Sequence, residues 1–599
     1  MKIVTSKKQK NRGFSFIELI VGVTVLTVII ISVYSAYTSI FDIIYTSRAK
    51  IDAVDLVDEQ LEIVRNMPYS EVGIANSIPV GVLTHVKTLI RDSNQFTVTT
   101  TVRNVDDPFD GTVGGTPNDL SPADYKLVEI DIDCALCRHF TPVVVTTTVS
   151  PRGLETASTN GALFIKVFDA NGNPVKDASV HVVNSSASPI IVIDDVTDSN
   201  GQLQIVDAPP GVNAYQITVS KNGYSIDGTL SPSVSNPNPT KPNATVALQQ
   251  VTAVSFAIDK TSSFVVSSQT TICGAVPNFD FQLAGSKGIG TNPFVYKYNQ
   301  PKLTNVSGVL TINNLEWDSY SFTGIDSMYD IVGTNPLLPV NLSPNSSQNV
   351  LLVVASKNPN TLLVSVRDSA TGLALSNATV LLTGPGPDVT RTTGQGTLTQ
   401  TDWSGGSGQA TSTDLTQYFI SDGNVDTTTV PGDVVLKKIF SDYVPAGVLT
   451  SSTFDTGAAS NFQNISWLPG SQSAVVGEGV KFQIATNNDG GTWNYNGPDG
   501  TNGTYFTSSN QNIDAANNGR RYFRYKIFES TASTTFTPNI SDVSFTYTSS
   551  CTPPGQVSFV GLSVGTYSLQ ISLPGYATQT VSVNVNTAWQ NQDVSLIAN

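Results

Sequence analysis

The sequence predicts a multidomain chain: a long N-terminal helix with a small α+β head, then all-β sandwich repeats, the last interrupted by a further β-sandwich. Three observations carry this. An apolar run from Ile17 to Val33 passes without a break into a helical stripe that reaches Pro68. Alternating strands and glycine turns recur in a repeated order after residue 160. The composition, 39% hydrophobic but only 13% charged, is that of exported β-domains with polar, uncharged surfaces and is too apolar for disorder. At 599 residues, length alone suggests about four domains.

The first element begins with a basic leader (Lys2, Lys7, Lys8, Lys10, Arg12) that ends in Gly13. The apolar run behind it is near the lower limit for a helix crossing a bilayer. A secretory signal would be cut after the apolar run, behind small residues, and only Ser35-Ala36-Tyr37 stands there. Here the glycine precedes the run, Phe14 follows it, and Glu18 lies five residues beyond. An acid within a membrane span costs about 2.5–3.5 kcal/mol on insertion scales and points to a function.

The segment G-F-S-F-I-E-L-I-V-G-V resembles the class III signal of type IV prepilins and type II secretion pseudopilins. The resemblance implies a leader of residues 1–13, cleavage by a prepilin peptidase between Gly13 and Phe14, and N-methylation of Phe14. It also implies that Glu18 guides assembly by neutralising the new amino terminus of a neighbouring subunit. A paired charge is far less costly to bury than a lone one. Many major pilins have proline where this chain has Ser35, which favours a minor pilin or a pseudopilin.

The helix is expected over 14–68, with its transmembrane part at 14–36. Beyond the membrane, Ile40, Ile44, Ser47, Ile51, Val54, Val57, Leu61 and Val64 step by three or four and form one largely apolar stripe. Pro68 ends it, because proline lacks the donor and disfavours helix before it. Such a stem is about 80 Å long.

Residues 69–155 form the head, with strands at 85–90, 96–102, 125–132 and 143–150 separated by Asp, Pro and Gly turns. The runs F-T-V-T-T-T-V-R-N-V-D-D and D-Y-K-L-V-E-I-D-I resemble those of PilV-like minor pilins, where a short antiparallel sheet packs on the helix. Cys134 and Cys137, with His139 just beyond, read as a local disulfide loop of an exported chain. A metal site there would lack a nearby fourth ligand. Cys273 and Cys551 stand alone and leave a bridge between them open.

A repeat follows. Residues 162–183 and 197–224 form the first copy, 279–285 and 304–320 a degenerate second, 362–382 and 557–576 a split third. Phe164, Lys166 and Phe168 share one strand face, Ile165 and Val167 the other. The pattern resembles carboxypeptidase regulatory-like and Cna-B-like domains, which implies small sandwiches used as stalk units, without peptidase activity. Boundaries are expected at 156–250, 251–358, and 359–400 with 551–599. Lys166 and Asn243 sit near the ends used by Cna-B-like isopeptide crosslinks, but no Glu lies between them and Arg367 replaces the lysine in the third copy, so none is expected.

The insert, 401–550, contains G-R-R-Y-F-R-Y-K-I-F-E-S-T, which resembles a core strand of jelly-roll or concanavalin-like sandwiches. Its polar loops at the far end of a stalk make it the ligand-binding candidate, with a glycan among the ligand classes. Asn487-Asn488-Asp489-Gly490 and the run Gly497–Gly503 read as β-turns, with structural calcium as the one cofactor left open. Trp467, Trp493, Tyr495 and Tyr505 read as core, or as sugar platforms if exposed.

No catalytic residue is expected. The three histidines, His85, His139 and His181, lie in no nucleophile setting, and no phosphate loop stands out. The net charge of −15 argues against nucleic acid. The expected role is a minor type IV pilin or pilus-associated adhesin, anchored as a single-pass precursor and then displayed on a surface filament. Its expected partners are the prepilin peptidase, other pilins, an inner-membrane assembly platform and a surface ligand. Alternatives are a type II secretion pseudopilin, or a carbohydrate-active protein with its site in the insert, for which Asp499 and Asp514 are the acids to inspect.

Overall fold

The computed structural model describes residues 16–152, 157–409, 415–430, 432–473, 479–586 and 589–599. The chain divides into two compact units, 1–259 with 291–293, and 260–290 with 294–599.

In the first unit, one helix, α1 (Phe16–Arg65), runs about 75 Å. Its first half is almost wholly exposed. Its second half buries Ala49, Ala53, Leu56, Val57, Gln60, Leu61 and Val64 under the head. The expected stripe therefore splits: Val57, Leu61 and Val64 are buried, whereas Ile40, Ile44, Ile51 and Val54 face out. The head sheet seats on the alanine side, where small side chains let the strands approach the helix backbone.

That sheet is antiparallel, in the order Val86–Arg91, Asn94–Val105, Tyr125–Asp133, Val143–Val149. Strict alternation puts Phe96, Val98 and Val102 with Val128, Ile130 and Ile132 onto the helix.

Three sandwiches share one topology. In each, the opening strand (Gly161–Phe168, Ser262–Thr270 or Leu362–Asp368) pairs in parallel with the module's last strand, Val251–Ala257, Ser347–Ser356 or Gln590–Leu596. Its other neighbour is antiparallel: Gln202–Ala208, Val309–Leu315 or Gln556–Phe559. The facing sheet pairs Ser179–Asn184 with Gly211–Ser220, Asp280–Gly285 with Asp318–Gly324, and Thr379–Thr383 with Gly565–Ser572. The boundary expected at 250 thus falls one strand early. Val251–Ala257 closes the first module, because a parallel partner comes from distant sequence and has no local turn to announce it.

The third module is interrupted as expected. Between its halves lies a β-sandwich whose two sheets share the bent 15-residue strand Phe454–Leu468. The first part of that strand pairs with Arg520–Ser530 and the second with Asp542–Thr548. Trp403, Trp467, Phe482, Phe523, Tyr525 and Phe545 fill the space between. A disulfide joins Cys273 of the second module to Cys551, just past the insert's last strand.

Candidate assembly segment and binding surfaces

Gly13 and Phe14 lie outside the described residues. Glu18 sits in the first turn of α1, where the positive end of the helix dipole favours a carboxylate. It is the one acidic or basic residue from Phe16 to Phe41. Three hydroxyls in this stretch turn back onto their own helix: Thr24 donates to the Val21 carbonyl at 2.9 Å, Thr27 to Val23 at 2.8 Å and Ser32 to Val28 at 2.8 Å. These three hydroxyls are then satisfied within the helix itself, which suits a hydrocarbon environment. The apolar window has a mean hydropathy of 2.7 and none of it is buried. A helix apolar on every side belongs in a membrane or among other helices.

Where α1 leaves this span, Cys134 and Cys137 are disulfide-bonded. The residue just past the loop they close clasps the helix: Arg138 pairs with Asp42 at 3.3 Å, and Thr46 donates to the Arg138 carbonyl at 3.0 Å.

The head and first module are joined by a partly buried ion pair. Arg103 donates to both Asp195 oxygens, at 2.7 and 2.5 Å, and to Glu129 at 3.2 Å. Beside it a cleft of about 610 Å³ is lined by Tyr69, Ile78, Lys126, Asn160, Pro189 and Asp207. Burial pushes the Lys126 ammonium down, and it donates to the Tyr69 and Val72 carbonyls at 2.9 and 2.6 Å. Lys166 is exposed, and the Asn243 amide donates to Ser231 at 3.0 Å, an arrangement unlike a buried crosslink.

In the insert, Trp467 is core, stacked on Phe482 with ring centroids 4.4 Å apart. Trp493, Tyr495 and Tyr505 are half-buried and each is covered by a cation: Arg524 at 4.4 Å, Lys526 at 4.1 Å and Lys481 at 4.5 Å. One face of each ring is therefore occupied by the protein itself. The Asp489 carboxylate accepts from the Gly491 and Thr492 amides, both at 2.9 Å, which holds it down at about 2. The hydroxyl of Thr504 and the amide and hydroxyl of Thr501 likewise hold Asp499 below the usual carboxylate range. Asp514 caps a short 3-10 helix by accepting from the Ala516 amide at 2.8 Å. A glycosidic general acid needs a raised pKa, and Asp499 has the opposite.

One group escaped the sequence reading. Asp106, Asp119 and Asp124 converge in the head, although in sequence they look like ordinary turn residues.

Residues 8–34 match the model of the prokaryotic N-terminal methylation motif. The chain carries a prepilin-type N-terminus. This prepilin-type segment marks a membrane-anchored precursor whose β-domains form its exported surface part. It implies processing by a prepilin peptidase and assembly with other pilin-type subunits. A search of curated proteins finds no match. Among solved structures, similarity is found to the Bacillus anthracis TIE protein, at 10% identity over 86% of this chain and 61% of that one, TM-score 0.16. A Streptococcal ancillary pilin aligns at 11% identity over 74% and 99%, TM-score 0.13. GBS52, the minor pilin of Streptococcus agalactiae, aligns at 12% over 33% and 96%, TM-score 0.17. The chain spans under two thirds of the TIE protein's length. At these TM-scores the likenesses carry no argument about the prepilin-type chain.

Proposed function

We propose that the chain is a minor pilin that carries an adhesive or spacing arm of β-sandwiches into a type IV-like filament. The observation that supports this most is the continuity of the methylation motif at 8–34 with α1, which is apolar all round at its start. Below the span, the outward row Ile40, Ile44, Ile51 and Val54 prolongs the apolar surface. A surface of that kind suits packing against the helices of neighbouring subunits. The assembly platform of the inner membrane is the machinery such a helix would enter. The three sandwiches and the insert supply an arm, and the insert's polar loops remain the proposed contact with a surface ligand.

The test is processing. Replacing Gly13 with a bulky residue should leave the leader uncut and the chain in the membrane, read by the mass of the membrane-bound protein. Normal trimming of a Gly13→Leu variant would remove the prepilin reading.

A further inference from the structure

The loop between the second and third head strands, residues 106–124, holds five aspartates: Asp106, Asp107, Asp110, Asp119 and Asp124. One carboxylate oxygen from each of Asp106, Asp119 and Asp124 lies within 4.8 Å of the other two. The loop's own backbone engages these side chains. Asp106 accepts from the Val113 amide at 2.9 Å, Asp119 from the Ser121 amide at 2.8 Å, and Asp124 from the Asp107 amide. Each residue is left with one further oxygen that is buried and has no hydrogen-bond partner among the described residues: Asp106 Oδ1, Asp119 Oδ2 and Asp124 Oδ1. The Asp119 side chain belongs to a residue only 9% exposed.

Surface carboxylates that merely share a loop turn their oxygens to water. Here three are brought together and oriented by amides, and one oxygen of each is withheld from solvent and from every described donor. Buried polar groups without partners are costly, and like charges in one site more so. An arrangement of this cost persists when a cation takes the oxygens.

We propose that Asp106, Asp119 and Asp124 form a calcium site. The donors are carboxylate oxygens alone, with neither His nor Cys, which suits a hard cation. They come from irregular positions along one loop, which suits the flexible coordination of Ca²⁺ better than the strict octahedron of Mg²⁺.

The site stands at the joint between the head and the first sandwich. The Leu120 carbonyl, next to Asp119, accepts from the Ser158 amide at 2.8 Å. Two residues on, Asn160 donates to Asp207 of the sandwich at 3.1 Å. Gly114, in the same loop, lies against Val251 of the module's last strand, which a Cβ at Gly114 would approach to 3.2 Å. Calcium that fixes the loop therefore also stiffens the base of the arm.

The experiment uses the full chain in detergent, stripped with EDTA and titrated with CaCl2. Calorimetry gives the stoichiometry, and hydrogen exchange read by mass spectrometry gives the local effect. The wild type should bind one more Ca²⁺ than the Asp106→Asn/Asp119→Asn/Asp124→Asn variant. Calcium should slow exchange in peptides covering 106–124 and 157–160 by at least tenfold in the wild type and leave the variant unchanged. Because asparagine removes repulsion, the variant's remaining head peptides should exchange in EDTA as the wild type's do. Equal stoichiometry in the two proteins would overturn the site. So would wild-type exchange at 106–124 that ignores calcium, whatever the variant does.

Discussion

Glu18 is the one charged side chain from Phe16 to Phe41, a stretch of apolar and hydroxyl residues in which Thr24 and Thr27 bond back to their own helix. A cationic terminus of a neighbouring subunit fits the chemistry of an acid at this place in an apolar helix. A Glu18→Ala chain should still be cut and methylated but be recovered in sheared filaments at a tenth or less of the wild-type amount, measured by quantitative immunoblot. Glu529 in the insert is the converse case, an acid buried with both oxygens unpartnered among the described residues. Burial raises its carboxyl well above the usual 4.5, so the fold holds the protonated acid. The stability this group permits is full below about pH 4.5 and is lost as pH climbs through the raised folded value. Glu529→Gln should therefore match the wild type near pH 4.5 and exceed it in stability at pH 8. Urea denaturation at the two pH values checks this, and parallel pH profiles would contradict it.

The repeated element is built on three small devices that recur in all three modules, the degenerate one included. Asp177, Asn278 and Asn377 each take a left-handed conformation, φ 54°, 53° and 65°, two residues before the facing strand. Asx residues are the non-glycine types that accept it most readily. Tyr215, Tyr320 and Tyr567 each donate from a buried ring to a carbonyl upstream, on Pro209, Glu316 and Ser563. Thr197, Thr304 and Thr393 are buried latches that accept from the amides of Ala178, Phe279 and Ala378. Thr197→Val keeps the shape but leaves the Ala178 amide without its acceptor, and should cost about 1–3 kcal/mol in thermal unfolding. These devices explain why the repeat could be read from sequence: each uses a residue type with a local preference. The parallel closing strand Val251–Ala257 has no such mark, and its partner lies some 90 residues away. The helix face misled for another reason. Periodicity ranks Ile51 and Val54 above Ala49 and Ala53, yet the sheet needs the close approach that alanine allows.

At the scale of the whole molecule, the order of parts was legible because each segment carries its own period: 3.6 in the stem, 2 in the strands, and turns between. What joins the parts was not. The Cys273–Cys551 disulfide spans 278 residues, the Arg103–Asp195 pair links head to sandwich across 92, and the three aspartates of the proposed calcium site are scattered along a loop. Pairings of this kind are set by tertiary structure. The N-terminus is the reverse, a local signal whose consequence is an assembly larger than the chain. The most direct test of that consequence is mass spectrometry of the protein's N-terminal peptide from sheared surface filaments. The prepilin reading predicts a peptide that begins with N-methylated Phe14. A peptide that begins at Met1, or one cut beyond the apolar run near Ala36, would contradict it.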